Sequence, residues 1–429
     1  MASASEKGNG EAGEEKRYGK IIDAVISLLK DQYIDDIKDD IYKEALNGIM
    51  SSLDPHSAFF TEKEFAEMRM QTKGEFGGLG IVVTKDNLNL IKIISPIDNT
   101  PASRAGVLAG DYISEINGET TYNMSLNDAV ERMRGKVGER VKIVILRNGA
   151  DKPIELTLKR EIIKTQSVKG EMRDDNILYM RITNFIETTG DDFLKTFNKI
   201  VLENKNKKIN GVALDLRNNP GGLLNQAVRI SEFFLEKGKT IVLIKGKNQV
   251  LLDEFKSTAG KQILDSGTPV VVLVNGGSAS ASEIVAGALQ DHKRAIVLGE
   301  TTFGKASVQQ IFPMNDGSAL KITIARYYTP NGRSLQLDGI VPDIIVKDAE
   351  VKYSENSFNL REENLKGRLD RAPVDIITKT LNERREKEKK KNEKADETAD
   401  YQLSRALDLI RGINVFSGNG NDADAKENN

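Results

Sequence analysis

The sequence predicts an α/β fold, because apolar runs typical of buried strands alternate with segments of helical periodicity over residues 161–350. Two further observations complete this prediction. Residues 14–72 carry apolar stripes at helical spacing, and residues 73–160 combine a glycine-rich loop with β-branched strands. The strands predicted in the main region are 178–185, 211–216, 270–274, 295–298 and 320–328.

The helical region at 14–72 presents its apolar residues on stripes. We expect these stripes either to pack on the rest of the chain or to contact a second copy of it. The first stripe consists of Ile22, Val25, Ile26 and Leu29, and the second consists of Ile41, Ala45 and Ile49.

The composition of the 429-residue chain limits the classes of function. It has 62 basic and 64 acidic residues, a formal net charge of −2, so it lacks the global basic field that draws proteins to nucleic acid. It contains no cysteine, which excludes disulfides and thiol chemistry. No zinc-type spacing and no nucleotide-binding Gly-x-x-x-x-Gly-Lys-Ser/Thr motif is present, so we expect no metal or cofactor.

Ser280 stands where a predicted strand is followed by a predicted helix. The apolar run 270–274 is succeeded by Asn-Gly-Gly and small residues, and a helix is predicted over 282–289. A helix start offers unpaired N–H groups that stabilise an oxyanion, so this place suits a nucleophile. The alternative is a plain tight turn in which Ser280 or Ser282 caps the helix.

The chain has only two histidines to serve as a base for such a serine, His56 and His292. His56 lies in an Asp-Pro-His-Ser turn, where a structural role is expected. His292 closes the helix that follows Ser280, about 15 Å along the axis, too far for direct contact. A lysine must therefore be considered as the base.

Lys305 follows Ser280 by 25 residues, and Gln309 follows Lys305 by four. A lysine accepts a proton only when it is neutral, which requires surroundings that lower an ordinary pKa near 10.4. A glutamine can hold the amine without adding a charge, whereas an acidic partner would keep it protonated. The alternative for a single Gly-Lys pair is an exposed surface lysine.

The Ser-Ala-Ser-Ala-Ser-Glu motif with this lysine and glutamine resembles the carboxyl-terminal processing (tail-specific) peptidases. The resemblance implies a Ser-Lys dyad in a ClpP/crotonase-like core over residues 161–350, with Ser280 as nucleophile, Lys305 as base and Gln309 orienting it. It also implies an oxyanion hole formed by the N–H of Ala281 and of either Gly221 or Gly222 in the loop after strand 211–216.

A second resemblance covers residues 73–160. The loop Gly77-Gly-Leu-Gly-Ile81 precedes a β-branched strand and is followed in order by Ala-Gly, Gly-Asp and Asn-Gly pairs. This set resembles a PDZ domain inserted before the core. The resemblance implies that the loop binds a peptide's C-terminal carboxylate through the backbone of Gly78, Leu79, Gly80 and Ile81.

The helix predicted over 125–135 would line the peptide groove of this domain. Val130 and Met133 lie on its apolar side and would favour an apolar C-terminal residue in the ligand. These side chains face either the groove or the domain core. Arg147 is predicted either as an exposed turn residue or as a charge that couples the domain to the core.

Both ends of the chain have a different character. Residues 1–13 lack an apolar run and are predicted to be a flexible leader, so an envelope or periplasmic location rests on the family resemblance alone. Residues 351–416 contain a charged linker at 383–394. They end in a helix with Leu403, Leu407 and Ile410, which would dock on the chain itself, a second copy or an adaptor protein. Residues 417–429 are predicted to be a disordered tail.

These observations predict a serine endopeptidase that binds unfolded or C-terminally exposed proteins through the PDZ domain and cleaves them with the dyad. We expect self-association or an adaptor protein, and no nucleic acid as a partner. One alternative is a PDZ scaffold with an inactive protease domain. Another is a crotonase-like acyl-CoA enzyme, which offers no reason for a PDZ domain.

Overall fold

A computed structural model describes residues 6–37, 41–86, 90–97, 99–122, 124–150, 152–258, 260, 262–349 and 400–417. The chain divides into two compact units. The first contains Met1–Thr165, Ile244–Leu252 and Ser307–Tyr327, and the second contains Gln166–Leu243, Asp253–Ala306 and Tyr328–Asn429. The charged linker at 383–394 and the tail beyond residue 417 lie outside the described residues.

The described residues form α-helices and β-strands along the whole chain. The helices are α1 (Glu6–Gln32), α2 (Ile41–Ser51), α3 (Glu62–Thr72), α4 (Pro101–Arg104), α5 (Leu126–Met133), α6 (Thr189–Glu203), α7 (Leu224–Glu232), α8 (Ala281–Asp291) and α9 (Tyr401–Phe416). The strands are β1 (Ala58–Phe60), β2 (Glu75–Gly78), β3 (Ile81–Lys85), β4 (Ile91–Pro96), β5 (Tyr112–Ile116), β6 (Glu119–Thr120), β7 (Arg140–Leu146), β8 (Ile154–Lys159), β9 (Glu161–Lys164), β10 (Val168–Arg173), β11 (Ile177–Ile182), β12 (Gly211–Asp215), β13 (Thr240–Lys245), β14 (Leu251–Lys256), β15 (Val270–Val274), β16 (Ile296–Gly299), β17 (Ser307–Pro313), β18 (Ala319–Tyr328) and β19 (Ile344–Ile345).

The β-rich part of the first unit is an antiparallel sheet in the order β3-β4-β5-β7-β8, with β6 paired to β5. Its core is made of buried aliphatic side chains from these strands and from α4 and α5. Ser125 caps α5, because its hydroxyl accepts from the Asp128 N–H at 3.1 Å. The strands β2 and β9, which lead into and out of this sheet, pair antiparallel with each other.

One strand of the first unit lies inside the range that the sequence predicts as the core. The sequence assigned all of 161–350 to one core, whereas β18 pairs antiparallel with β17 and with β1 at residues 58–60. Residues 307–327 therefore cluster with the first unit. Pairing with a strand more than two hundred residues away leaves no local signal in the sequence.

The second unit is built on a sheet in the order β10-β11-β12-β15-β16-β19. The pairs from β11 to β19 are parallel and β10 is antiparallel at the edge. Every residue of β12 and β15 is buried, as expected for a parallel sheet covered by helices. The carboxyl ends of β12 and β15, where ligands bind in such sheets, carry the loops 216–223 and 275–280.

The C-terminal helix α9 docks on this sheet. Leu403, Ala406 and Ile410 are buried against residues of β12, β15 and β16. A Cβ on Gly211 would lie only 2.3 Å from the Ile410 side chain, so β12 begins with glycine where the helix approaches most closely. Of the three docking partners that the sequence left open for this helix, the chain itself is the one observed.

The N-terminal helix begins inside the range 1–13, which the sequence predicts as a flexible leader because it lacks an apolar run. Residues 6–13 belong to α1. Extending an existing helix needs no new nucleation, so weak helix formers can be added to the end of a strong segment. None of the described helices is both long and apolar enough to cross a bilayer.

Candidate active site

Ser280 is the residue just before α8, at the end of the turn that follows β15. Its backbone has φ 56° and ψ −112°, a conformation that costs a non-glycine residue about 1–3 kcal/mol. This sharp strand-to-helix turn resembles in geometry the strained turn that exposes a nucleophilic serine in other hydrolases. The turn itself is fixed by Ser278, whose hydroxyl donates to the Leu216 carbonyl at 2.8 Å.

The buried side chain of Glu283 connects Ser280 to the segment that carries Lys305. Its Oε2 accepts the N–H of Ser280 at 2.7 Å and the N–H of Lys305 at 3.0 Å. Its Oε1 accepts the N–H of Gly304 at 2.7 Å and the hydroxyl of Thr302 at 2.6 Å. Two residues 25 positions apart therefore share one carboxylate oxygen, so their backbone nitrogen atoms lie close together.

The electrostatics of Glu283 follow from its burial. Desolvation raises the pKa of this carboxyl, and the hydrogen bonds from Thr302, Gly304, Ser280 and Lys305 oppose the rise without cancelling it. Sequence reasoning assigned no role to Glu283. A glutamate three residues after a serine at a helix start is the capping-box pattern, and that signal could have drawn attention to it.

The segment that carries Lys305 is also held from its other side. Thr302 and Ile340 exchange hydrogen bonds, with the Ile340 N–H donating to Thr302 Oγ1 at 2.7 Å and the Thr302 N–H donating to the Ile340 carbonyl at 3.1 Å. The Ala306 N–H donates to Gln336 Oε1 at 3.1 Å. The Phe303 N–H donates to the Ser278 carbonyl at 3.0 Å. Residues 302–306 are thus fixed between the turn 275–280 and the loop 336–340.

The loop 216–223, which follows β12, lies against the turn 275–280 that ends at Ser280. A Cβ on Gly221 would lie 2.8 Å from the Ser280 Cβ and 2.9 Å from the Ala281 nitrogen, and its φ is +97°. The Gly221 N–H donates to Asn219 Oδ1 at 2.9 Å, whereas that of Gly222 has no acceptor among the described residues. The N–H of Ala281 likewise has none there. Both glycines are required, because a Cβ on Gly222 would lie 2.1 Å from the Phe185 carbonyl oxygen.

Gln309 lies on β17, in the first unit, whereas Ser280 and Lys305 belong to the second. Its amide Nε2 donates to Ser307 Oγ at 2.8 Å and to Thr323 Oγ1 at 3.3 Å. These two bonds fix the orientation of the amide group.

The two histidines occupy the structural positions that the sequence suggested. His292 ends α8 and its Nε2 is 2.7 Å from the Thr240 carbonyl oxygen. The turn at His56 is held by Asp54, which accepts the N–H groups of His56 and Ser57 at 2.7 and 2.9 Å.

The far end of α8 is held by the side chains of Arg333 and Asp343. Arg333 forms an ion pair with the buried Asp291 and donates to Gln290 Oε1 at 2.9 Å. Asp343 accepts from Gln290 Nε2 at 3.1 Å and from the Val297 N–H at 2.8 Å. The helix that follows Ser280 is therefore fixed at both ends.

In the first unit, the glycine-rich loop has the features of an anion-binding turn. Gly80 has φ +77° and packs on Thr100, where a Cβ would come within 2.3 Å. The carbonyls of Leu79 and Gly80 accept from the N–H groups of Ala102 and Ile97. The N–H groups of Leu79 and Gly80 themselves donate to no described residue, as a carboxylate-binding loop requires.

On the helix α5 beside this loop, the two residues predicted to face the groove or the core differ in burial. Met133 belongs to the buried core cluster together with Leu79, whereas Val130 is only partly buried. Arg147 forms a bidentate ion pair with Asp111 at 2.8 Å inside the first unit. Among the described residues no group of three His, Asp or Glu side chains is arranged to hold a metal.

We predict that Glu283→Gln destabilises the second unit and disrupts the site. The substitution removes a buried charge, but it also replaces one carboxylate oxygen, which accepts two hydrogen bonds, with an amide NH₂ group. This group cannot accept the N–H or O–H donors that face it. An unsatisfied buried donor costs about 1–3 kcal/mol, so the free energy of unfolding should fall by about that amount. Urea denaturation measures it, with the exposed Glu187→Gln as control. Equal stability of both variants would contradict the bridging role.

Comparison with known proteins identifies the family. Residues 176–346 match the model of peptidase family S41, and residues 92–147 match a PDZ domain model. The carboxy-terminal-processing protease of Bartonella bacilliformis is 43% identical over 408 residues, which are 92% of this chain and 88% of that protein. Carboxy-terminal processing protease CtpA of Bacillus subtilis is 36% identical over 77% of this chain and 69% of its own length. The solved structure of the photosystem II D1 C-terminal processing protease is 30% identical, with 74% of this chain and 85% of that chain covered and a TM-score of 0.45. The chain therefore belongs to the carboxy-terminal processing proteases of peptidase family S41.

Proposed function

We propose that this carboxy-terminal processing serine protease cleaves peptide bonds with Ser280 as nucleophile and Lys305 as general base. One observation carries the proposal: a single oxygen of Glu283 accepts the backbone N–H groups of both residues. Ser280 is also held in the strained conformation of an exposed nucleophile. Nothing in the comparisons favours the alternative of an inactive scaffold.

The reaction would follow the steps of covalent hydrolysis. The neutral Lys305 amine takes the Ser280 hydroxyl proton while Oγ attacks the substrate carbonyl, and the protonated amine then gives the proton to the departing amine. Water hydrolyses the acyl-enzyme in a second cycle with the same base. Gln309 would orient Lys305 with its amide oxygen, since its amide nitrogen is already bonded to Ser307 and Thr323.

The oxyanion of the tetrahedral intermediate would be bound by the N–H groups of Ala281 and Gly222. Of the two glycines that the sequence left open, Gly222 is favoured, because the Gly221 N–H is already bonded to Asn219. Phe185 pairs with Gly222 in a parallel bridge, and within the described part of the chain its backbone is bonded to Gly221 and Leu223, not to the Gly222 N–H. The Gly222 N–H therefore remains available for an anion.

The PDZ domain would bind the C-terminus of the protein substrate. The support is the pair of N–H groups at Leu79 and Gly80 without described acceptors, next to the partly exposed Val130 on α5. Carboxylate binding by backbone N–H groups and addition of a strand to the sheet are the usual mode of this domain. Proteins with unfolded, apolar C-termini are therefore the proposed substrates.

The exposed apolar face of α1 would mediate self-association. Six large apolar side chains on this helix are more than a third exposed, which is unusual for a helix that contacts only water. They are Tyr18, Ile21, Ile22, Val25, Leu28 and Leu29.

The cell envelope is the proposed location of the protein, and the support for it is the family resemblance. Recovery of the protein only in the cytoplasmic fraction of its cells would contradict this location.

We predict that Ser280→Ala and Lys305→Arg each reduce casein cleavage by at least about a thousandfold, because either change removes one member of a coupled pair. Arginine keeps the charge but cannot act as a base. Wild-type cleavage should rise from pH 6 to pH 9, because a lysine base works only as the neutral amine. The exposed Ser266→Ala and Lys237→Ala serve as controls. Cleavage by Ser280→Ala would assign the nucleophile elsewhere.

We predict that Val130→Glu weakens binding of a peptide that ends in an apolar residue, because a charge would line the groove. Amidating the peptide's C-terminus should weaken binding to wild type by about 10- to 100-fold, the value of hydrogen bonds to a charged group. Fluorescence anisotropy measures both effects, and Glu131→Gln on the same helix is the control. Equal affinity for the free and amidated peptides would rule out carboxylate recognition.

We predict that Val25→Glu lowers the molar mass found by light scattering to that of a monomer, because it places a charge in the proposed apolar contact. The exposed Lys20→Glu on the same helix should leave the mass unchanged. A monomeric wild type would refute self-association through α1.

A further inference from the structure

The C-terminal helix α9 reaches the loop of the proposed oxyanion hole through one buried arginine. Arg217 lies two residues after β12, and its side chain is 9% exposed. Its Nη1 donates to Asp400 Oδ1 at 2.8 Å and to Gln402 Oε1 at 3.1 Å, and its Nη2 donates to Asp400 Oδ2 at 2.5 Å. The helix thus binds Arg217 through its N-cap residue and its second residue.

Asp215, at the end of β12, holds Arg217 from the side of the sheet. Its Oδ1 accepts from Arg217 Nε at 3.0 Å and from the Arg217 N–H at 2.9 Å, and its Oδ2 accepts from Nη2 at 2.7 Å. Tyr179 and Arg181 also donate to this carboxylate. All donor nitrogens of the guanidinium are engaged, but only Asp400 and Gln402 come from outside the sheet and its adjoining loop.

The loop beyond Arg217 leads directly to the nucleophile and to Gly222. The Asn218 N–H donates to Asn275 Oδ1 at 2.9 Å. The Asn219 carbonyl accepts from Ser282 Oγ at 2.9 Å and from the Ala279 N–H at 3.0 Å. Asn219 Oδ1 accepts the Gly221 N–H. Arg217 anchors the start of this loop, so any shift of its backbone is passed to Gly222 within five residues.

We propose that Asp400 and Gln402 are positioning residues: by clamping Arg217, the docked C-terminal helix sets the place of the Gly222 N–H that would stabilise the oxyanion. Residues more than 170 positions after the loop thereby complete the catalytic geometry. The inference rests on the proposed function of Ser280 and Gly222. Its consequence is that detachment of α9 switches off the chemical step while the nucleophile stays in place.

The test separates the clamp from the capping of α9. Asp400 also caps the helix, because its Oδ1 accepts the Leu403 N–H at 3.0 Å. Asp400→Ser keeps a good cap but is too short to bind Arg217. The matched control is Asp408→Ser, which removes a carboxylate on the exposed face of the same helix, paired with Arg405 and Arg411.

The readouts are steady-state cleavage of a quenched fluorescent peptide taken from a casein cleavage site, and inhibition by the aldehyde of the same peptide. The aldehyde adds the Ser280 hydroxyl across its C=O, with a new C–O bond and the proton passing to the former carbonyl oxygen or to the base. The adduct therefore reports on the oxyanion site. Thermal unfolding of each variant reports on folding.

We expect Asp400→Ser to lower kcat by about tenfold or more, less than complete removal of an oxyanion donor, with KM within about twofold of wild type. The inhibition constant of the aldehyde should rise by the same factor as kcat falls. Asp408→Ser should match wild type in all three quantities. Unchanged kcat in a folded Asp400→Ser would overturn the proposal, and so would a fall in kcat with unchanged aldehyde affinity.

A second variant covers the case in which Asp400→Ser fails to fold. Gln402→Met keeps the side-chain volume of this buried residue and removes its bond to Arg217, so the same parallel loss is expected on a smaller scale. Unchanged kcat in this variant would then overturn the proposal.

Labelling with a fluorophosphonate separates failure of this inference from failure of the proposed function. If the wild type is not modified at Ser280 by a fluorophosphonate, the proposed function is wrong, and so is this inference. If wild type is modified and aldehyde-sensitive while the clamp variants match it, only this inference falls.

Discussion

The site depends on one buried carboxylate that accepts four donors. Glu283 takes up the Ser280 N–H, which a helix start leaves without an intrahelical partner. It also takes up donors at Thr302, Gly304 and Lys305, which no local interaction could bring there. Burying a charge is costly unless it is fully hydrogen-bonded. Here four hydrogen bonds offset that cost and fix the positions of their donors. Ser280, with its strained backbone, and the segment that carries Lys305 are consequently parts of one rigid arrangement.

A second cluster of buried charges, at the carboxyl end of the central strand β12, also joins distant segments of the chain. Burial opposes the charged form of Arg217, but its bonds to Asp400 and Asp215 raise its pKa. Burial and the neighbouring Asp215 carboxylate raise the pKa of Tyr179 to about 12, so this phenol stays a donor at neutral pH. Two arginines, Arg181 and Arg217, meet two aspartates in this cluster. Both clusters use fully bonded charges to join segments distant in sequence, where apolar packing would specify register less sharply.

Local sequence signals were sufficient for the elements and insufficient for their long-range pairing. The predicted strand 270–274 has the bounds of β15, because an unbroken apolar run is distinctive. The side of Met133 could not be decided, because an apolar side chain at helical spacing faces a core or a groove equally well. Likewise, the pairing of β18 with β1 depends on contacts between residues far apart in the chain, which leave no periodic pattern.

The antiparallel pairing of β2 with β9 has a consequence for how this architecture is assembled. Glu75 is opposite Lys164 and Gly78 is opposite Glu161, and both the N–H and the hydroxyl of Thr165 donate to the Gly74 carbonyl. The polypeptide therefore leaves and returns at adjacent points, about one strand spacing apart. The intervening residues 79–160 form a cassette, and a domain with similarly close termini can replace it without lengthening or redirecting the host chain.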